Sequence, residues 1–258
     1  MSQLLVETRG RVMEITLNRP EAMNAMSPEM TQGLTEALTR FEADDDLWVA
    51  LITGAGERAF CAGADLGRMQ QTLEAHGEGI RPPNTLVPPW ELDLTKPVIA
   101  AVNGHCLAGG LGLALICDVR IASDNATFGC MGTVRGIVPG AGQTQRLPRL
   151  IGPANAMWLL LSAERIKADE ALRIGLVNKV VSQAEVLPEA RRWADILAQR
   201  APLAVRAAKE AATKGLTLSL SDGLKLESQL AAPVRRSADA VEGVKAFNEK
   251  RTAVFTGR

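Results

Sequence analysis

Ala101-Val102-Asn103-Gly104-His105-Cys106-Leu107-Ala108-Gly109-Gly110 is the stretch on which the reading of this chain turns. An apolar run, Val98–Val102, has the length of a buried strand and stops at Asn103-Gly104, a turn signal. The following segment, 107–116, reads as a helix that opens on Gly109-Gly110. The first N–H groups of a helix lack internal partners and lie at the positive end of its dipole. Glycine lets another group approach that backbone closely. Such a construction suits developing negative charge. It equally suits a helix start packed hard against a neighbouring strand, and this motif alone leaves both open.

Working outward, residues 4–8 and 12–18 flank Arg9-Gly10 as a β-hairpin, stopped by Pro20. Ser27-Pro28 reads as a helix cap followed by proline in the first turn, with Met30, Leu34, Ala37, Leu38 and Phe41 at helical spacing. The acidic run 44–46 closes that helix as a solvated turn. Residues 49–53 form a short apolar strand ending in Gly54-Ala55-Gly56. With Ala59, this makes a Gly-x-Gly-x-x-Ala pattern of the dinucleotide-binding kind. That reading needs a helix next, and Gly63 sits where the helix should run. Residues 67–96 are rich in glycine and proline and read as a long surface excursion. Strands follow at 119–122 and from 125, then a Gly136–Gly142 turn leading into a helix with Gln143 or Thr144 near its start. Beyond Pro153 the chain reads as helices at 154–162, 168–174, 185–200, 203–213 and 239–252, with one strand at 176–181. The order implies an α/β core, residues 1–200, followed by a helical region, 201–258.

Composition narrows the function. Lys and Arg total 29 and so do Asp and Glu, so no basic excess points to nucleic acid or to an anionic membrane. Aromatic residues make up 3% with no Tyr, which argues against base stacking. The four cysteines form no Cys-x-x-Cys pair and there are two histidines, so no metal site is expected. No stretch has the roughly 18 apolar residues of a membrane span. A reduced, cytoplasmic protein is the expectation.

Each motif is moderate alone; their order is specific. The stretches 18–25, 53–66, 97–110, Cys117-Asp118, Phe128-Gly129, 136–149 and the tail from Glu242 together resemble the crotonase superfamily, the enoyl-CoA hydratase/isomerase family, over essentially the whole chain. The resemblance implies a spiral of ββα units with a C-terminal helical trimerisation region, and a homotrimer or dimer of trimers. It implies an acyl-CoA substrate with no cofactor besides the coenzyme A that the substrate carries. Two backbone N–H groups would hold the thioester oxygen, here those of Ala64 and Gly109. Ala22, Met23, Ala62, Asp65, Leu66 and Gly67 fall where the family contacts coenzyme A. A turn or helix cap is the plainer role for Asp65.

The chain departs from the family at two positions. Family hydratases place glutamates where this sequence has Gly112 and Gly132. The expected activity is therefore a lyase or isomerase acting on an acyl-CoA thioester, rather than a standard hydratase. The other reading is an inactive acyl-CoA-binding protein. The two glycines suggest a pocket opened for a bulkier acyl group, or a site that has relaxed. Substitute proton carriers would have to come from His105, Arg135, Cys130, or the Glu74, His76, Glu78, Glu91 and Asp93 of the excursion. Each has a plainer reading: a satisfied histidine, a surface ion pair, an inert buried thiol, solvated charges.

Overall fold

A computed structural model describes residues 2–65, 67 and 87–258. The chain starts with the expected hairpin, β1 (Leu4–Arg9) and β2 (Val12–Leu17), and enters α1 (Pro28–Ala43). Ser27 Oγ accepts from the Met30 N–H, the cap that the sequence signals. Then come β3 (Val49–Gly54), β4 (Ala59–Cys61), β5 (Val98–Val102), β6 (His105–Leu107), α2 (Gly109–Ile116), β7 (Val119–Ser123) and β8 (Thr127–Gly129). The rest is α3 (Gln143–Ser162), β9 (Ile166–Lys167), α4 (Ala168–Arg173), β10 (Lys179–Val181), α5 (Val186–Ala198), α6 (Pro202–Gly215), α7 (Leu220–Val234) and α8 (Ala238–Asn248).

Two sheets form. The larger runs β1-β2-β3-β5-β7-β10, parallel throughout except for the hairpin. The smaller runs β4-β6-β8-β9. Period-two burial explains the layers. Val49, Leu51, Ile99 and Ala101 join Val186, Ala190 and Ala194 of α5 on one face. Ala50, Ile52, Val98, Ala100 and Val102 turn to the other face, where they meet α1, α2 and the small sheet. Burial on both faces is why these strands read as unbroken apolar runs.

The structure revises several boundaries. The helix expected at 107–116 is a strand, a turn at Ala108 and a helix from Gly109. The helix expected at 154–162 is the second limb of α3, kinked at Gly152. The pattern Gly54-x-Gly56-x-x-Ala59 leads into β4 rather than a helix, so the chain lacks the helix start that a dinucleotide needs there. Beyond residue 201 the chain is helical through α6, α7 and α8. Among the described residues no helix is long and apolar enough to cross a membrane.

Candidate active site at the junction of the two sheets

The site is built where residues 22–26, the end of β4 and the start of α2 converge. Ala62 N–H donates to Met23 O at 3.0 Å, Met26 N–H to Gly63 O at 2.8 Å, and Asp65 N–H to Met26 O at 3.1 Å. Met26 and Ala64 thus form an isolated parallel bridge. This ladder uses the Gly63 carbonyl and the Asp65 N–H on either side of Ala64 and leaves the Ala64 N–H with no acceptor among the described residues. Asn24 secures the approach: its side chain accepts from Arg19 N–H and donates to the Ala55 and Ala59 carbonyls.

Gly109 arrives from the other side. Ala108 N–H is held by Gly129 O at 2.8 Å, and Ala108 O accepts from Gly112 N–H at 3.1 Å. Ala108 itself has φ 48 and ψ −122, a backbone conformation rare for a residue with a side chain. Such a residue stores of order 1–3 kcal/mol and persists only when its surroundings fix it. Its effect is to turn the chain sharply from β6 into α2, so that Gly109 is the first helical residue. A methyl group on Gly109 would lie 3.7 Å from the Ala64 nitrogen and 3.7 Å from Gly63 Cα. The Gly109 N–H likewise has no acceptor among the described residues, so the two donors border one spot. Gly63, at φ 104, is pressed against Ala108: a methyl there would come 2.8 Å from Ala108 Cβ. Ala64 is exposed and Gly109 partly so, while Gly63 and Gly110 between and beside them are buried.

Both readings of the double glycine hold, each at its own residue. Gly109 borders the open spot. Gly110 is a packing glycine, since a methyl on it would come 2.7 Å from Cys61 Cβ and closer still to the Cys61 carbonyl oxygen. Two N–H groups that border one spot, beside the N-terminal end of a helix, can stabilise an oxyanion there; donors of this type contribute about 3–4 kcal/mol each.

Ala22, Met23 and Ala62 lie along the 22–26 ladder, and Met23 is left-handed at φ 50. The Asp65 carboxylate accepts from both Arg19 guanidinium nitrogens at 3.1 Å. Gly67 is exposed and close to Asp65 Oδ1. Leu66, Glu74, His76 and Glu78 lie outside the described residues. His105 Nδ1 is engaged with Thr127 Oγ1 at 2.8 Å across β6 and β8. Arg135 is exposed and donates to Met131 O. Asp93 faces Lys214 at 3.8 Å and Glu91 is exposed. All four cysteines are buried, and burial pushes the thiols of Cys61, Cys117 and Cys130 up to about 12 and that of Cys106 well above the ordinary range. Cys130 is therefore an inert thiol, not a nucleophile.

One expectation is overturned. Gly112 and Gly132 do not open a pocket. A methyl on Gly112 would meet the Ala141 carbonyl oxygen at 2.7 Å and Ala141 Cβ closer still. A methyl on Gly132 would meet Ile137 O and Pro139 N, both at 2.8 Å. The 137–141 turn occupies the volume that side chains would take. Sequence reading also missed Met26, which pairs with Ala64 and whose Cε lies 2.8 Å from where a Gly109 methyl would sit. Nothing in the sequence marks that methionine.

Comparison with known proteins finds relatives over the whole length of the chain. Residues 7–258 match the family model described as enoyl-CoA hydratase/isomerase. The chain is 42% identical over 253 residues to the (E)-benzylidenesuccinyl-CoA hydratase of Thauera aromatica, covering 98% of each. It is 44% identical to the carnitinyl-CoA dehydratase of Proteus mirabilis, with both chains fully covered. The crystal structure of an enoyl-CoA hydratase from Bacillus anthracis superposes with a TM-score of 0.90 at 38% identity, over 100% of each chain. The chain belongs to the enoyl-CoA hydratase/isomerase family of the crotonase superfamily.

Proposed function

We propose that this chain binds an acyl-CoA thioester along residues 22–26 and 62–67 and polarises its carbonyl with the N–H groups of Ala64 and Gly109. The observation that carries this reading is the pair of unpartnered donors bordering one spot. Removing a proton beside a thioester, or adding a nucleophile to its conjugated double bond, places charge on that oxygen, and preorganised donors lower the barrier. The reaction class is that of a lyase or isomerase. Relatives named hydratase and dehydratase favour water as the group added or lost.

The finer part of the proposal concerns the acid and base. Neither Gly112 nor Gly132 carries a carboxylate, so rapid hydration of a simple short enoyl-CoA is not the reaction we assign. The relatives' names weigh against this restriction, and one experiment decides it. Purified protein is incubated with a panel of short, branched and hydroxylated acyl-CoAs and products are followed by mass spectrometry. Turnover of some member of the panel, with crotonyl-CoA a poor substrate, is the expected result. Rapid crotonyl-CoA hydration refutes the restriction. Binding without turnover across the panel identifies an acyl-CoA-binding protein that has lost its chemistry, the second reading.

We further propose a homotrimer or dimer of trimers. Large apolar side chains of the helical region and α3 stand in solvent in the single chain, among them Leu220 at 81%, Phe247 at 82% and Trp158 at 61% exposure. Such surfaces usually mark contacts between copies.

A further inference from the structure

Gln143 is an anomaly of this fold. It is the first residue of α3 and heads the buried stripe that continues through Leu147 and Ile151. It is 2% exposed. Its Nε2 donates to Gly140 O at 2.8 Å, and its backbone N–H donates to the same oxygen at 3.1 Å. Its Oε1 has no partner among the described residues. A flipped amide is excluded, because it would set Oε1 against the Gly140 carbonyl and strand two donors. The orphan is therefore an acceptor. A buried acceptor without a donor costs about 1–3 kcal/mol, so a native protein that keeps one has a use for it or fills it with water.

Its place indicates the use. The Gly140 carbonyl that Gln143 grips belongs to the turn whose next residue, Ala141, fills the space beside Gly112. Gly112 lies one helical turn from Gly109, about 4.5 Å along α2 at the usual rise per residue. The α2 and α3 helices pack against each other. Gln143 thus holds the turn that packs on α2 one helical turn from Gly109. An amide oxygen cannot take a proton at neutral pH, but it can hold a hydroxyl in place.

We propose that Gln143 Oε1 accepts a hydrogen bond from a hydroxyl at the reacting end of the acyl chain, the oxygen that water adds or that leaves as water. Gln143 is then a specificity-determining residue that selects 3-hydroxyacyl-CoA over the unsubstituted acyl-CoA. The inference rests on the acyl-CoA reading above.

The test is competition binding of butyryl-CoA and both enantiomers of 3-hydroxybutyryl-CoA to the full chain, as wild type and as Gln143→Met. One hydrogen bond of ordinary net strength predicts that wild type holds one enantiomer about fivefold more tightly than butyryl-CoA. That preference falls to near unity in Gln143→Met, with butyryl-CoA as the internal reference. A wild type without preference, or a preference that survives in Gln143→Met, overturns the proposal. So does an equal change for all three ligands, the signature of a structural water on Oε1. Should Gln143→Met fail to fold, 3-methoxybutyryl-CoA serves with wild type: it keeps the oxygen but has no proton to donate, so the preference must vanish, and its persistence overturns the proposal. If no thioester binds, it is the acyl-CoA reading itself that fails.

Discussion

Adjacent glycines at the start of α2 make opposite demands, and substituting each by alanine separates packing from chemistry. At Gly110 the new methyl would come 2.7 Å from Cys61 Cβ, 2.8 Å from the Cys61 carbonyl carbon and nearer still to its oxygen. Those atoms belong to β4, whose neighbour β6 holds it in register, so the strand backbone itself must shift. Overpacking costs typically 1–3 kcal/mol, and a clash with backbone belongs at the top of that range; alanine's better helix propensity returns under 1 kcal/mol. A net loss of about 2–3 kcal/mol lowers Tm by roughly 4–12 °C in a chain of this size. At Gly109 the nearest atom to the new methyl is Met26 Cε at 2.8 Å, the free end of a flexible side chain that can rotate away. Gly109→Ala should therefore fold within about 1 kcal/mol of wild type. Its methyl, however, would sit 3.7 Å from the Ala64 nitrogen, in the spot assigned to the thioester oxygen, so turnover should fall sharply. The assays are urea unfolding by circular dichroism at one protein concentration and kcat/KM on the best substrate of the acyl-CoA panel. Equal stability of Gly110→Ala and wild type refutes the packing assignment. Full activity in a folded Gly109→Ala refutes the position of the oxyanion.

Gly109→Pro removes the N–H at a first-turn position that tolerates proline, so the protein should fold while kcat drops about 10²–10³-fold; unchanged turnover in a folded variant rejects the donor. Native protein at pH 8 should leave all four thiols unmodified by a disulfide reagent and release them together on denaturation, because burial raises every one; prompt labelling of Cys130 contradicts its burial. For Glu14, burial pulls the carboxyl upward, but the hydrogen bonds from Arg191 and Arg9 outweigh it and leave it below its ordinary 4.5. A lowered folded value means that its contribution is fully present above the ordinary value and is lost as pH falls below it. The urea midpoint should therefore fall less steeply between about pH 6 and pH 3 in Glu14→Gln than in wild type, and identical slopes would exclude the Arg9–Glu14–Arg191 cluster as an acid-sensitive element.

How much was legible depended on whether the signal was local. The hairpin, the Ser27 cap, β3, β5 and α2 all announce themselves through runs and caps within a few residues, and all are present. The strands β4, β6 and β9 span two or three residues each, too short for any period to register. The α7 helix carries Gly223 and Pro233 and buries no side chain, so neither propensity nor a buried stripe betrays it. Positions 64 and 109 are brought together as the family pattern implies, because the glycines and alanines that shape them are themselves the signal. The meaning of Gly112 and Gly132 was not legible. A glycine in sequence looks like room, yet whether room exists depends on residues 137–141, which reach Gly112 from beyond the next two strands.

The two donors at Ala64 and Gly109 are main-chain atoms fixed by a ladder and a sharp turn. Any residue except proline at position 64 presents the same N–H, so that donor is nearly immune to point substitution. The proton-handling half, carried by side chains, is free to drift. A lineage built this way can exchange one reaction for another through a few codons while its hold on the thioester is inherited unchanged.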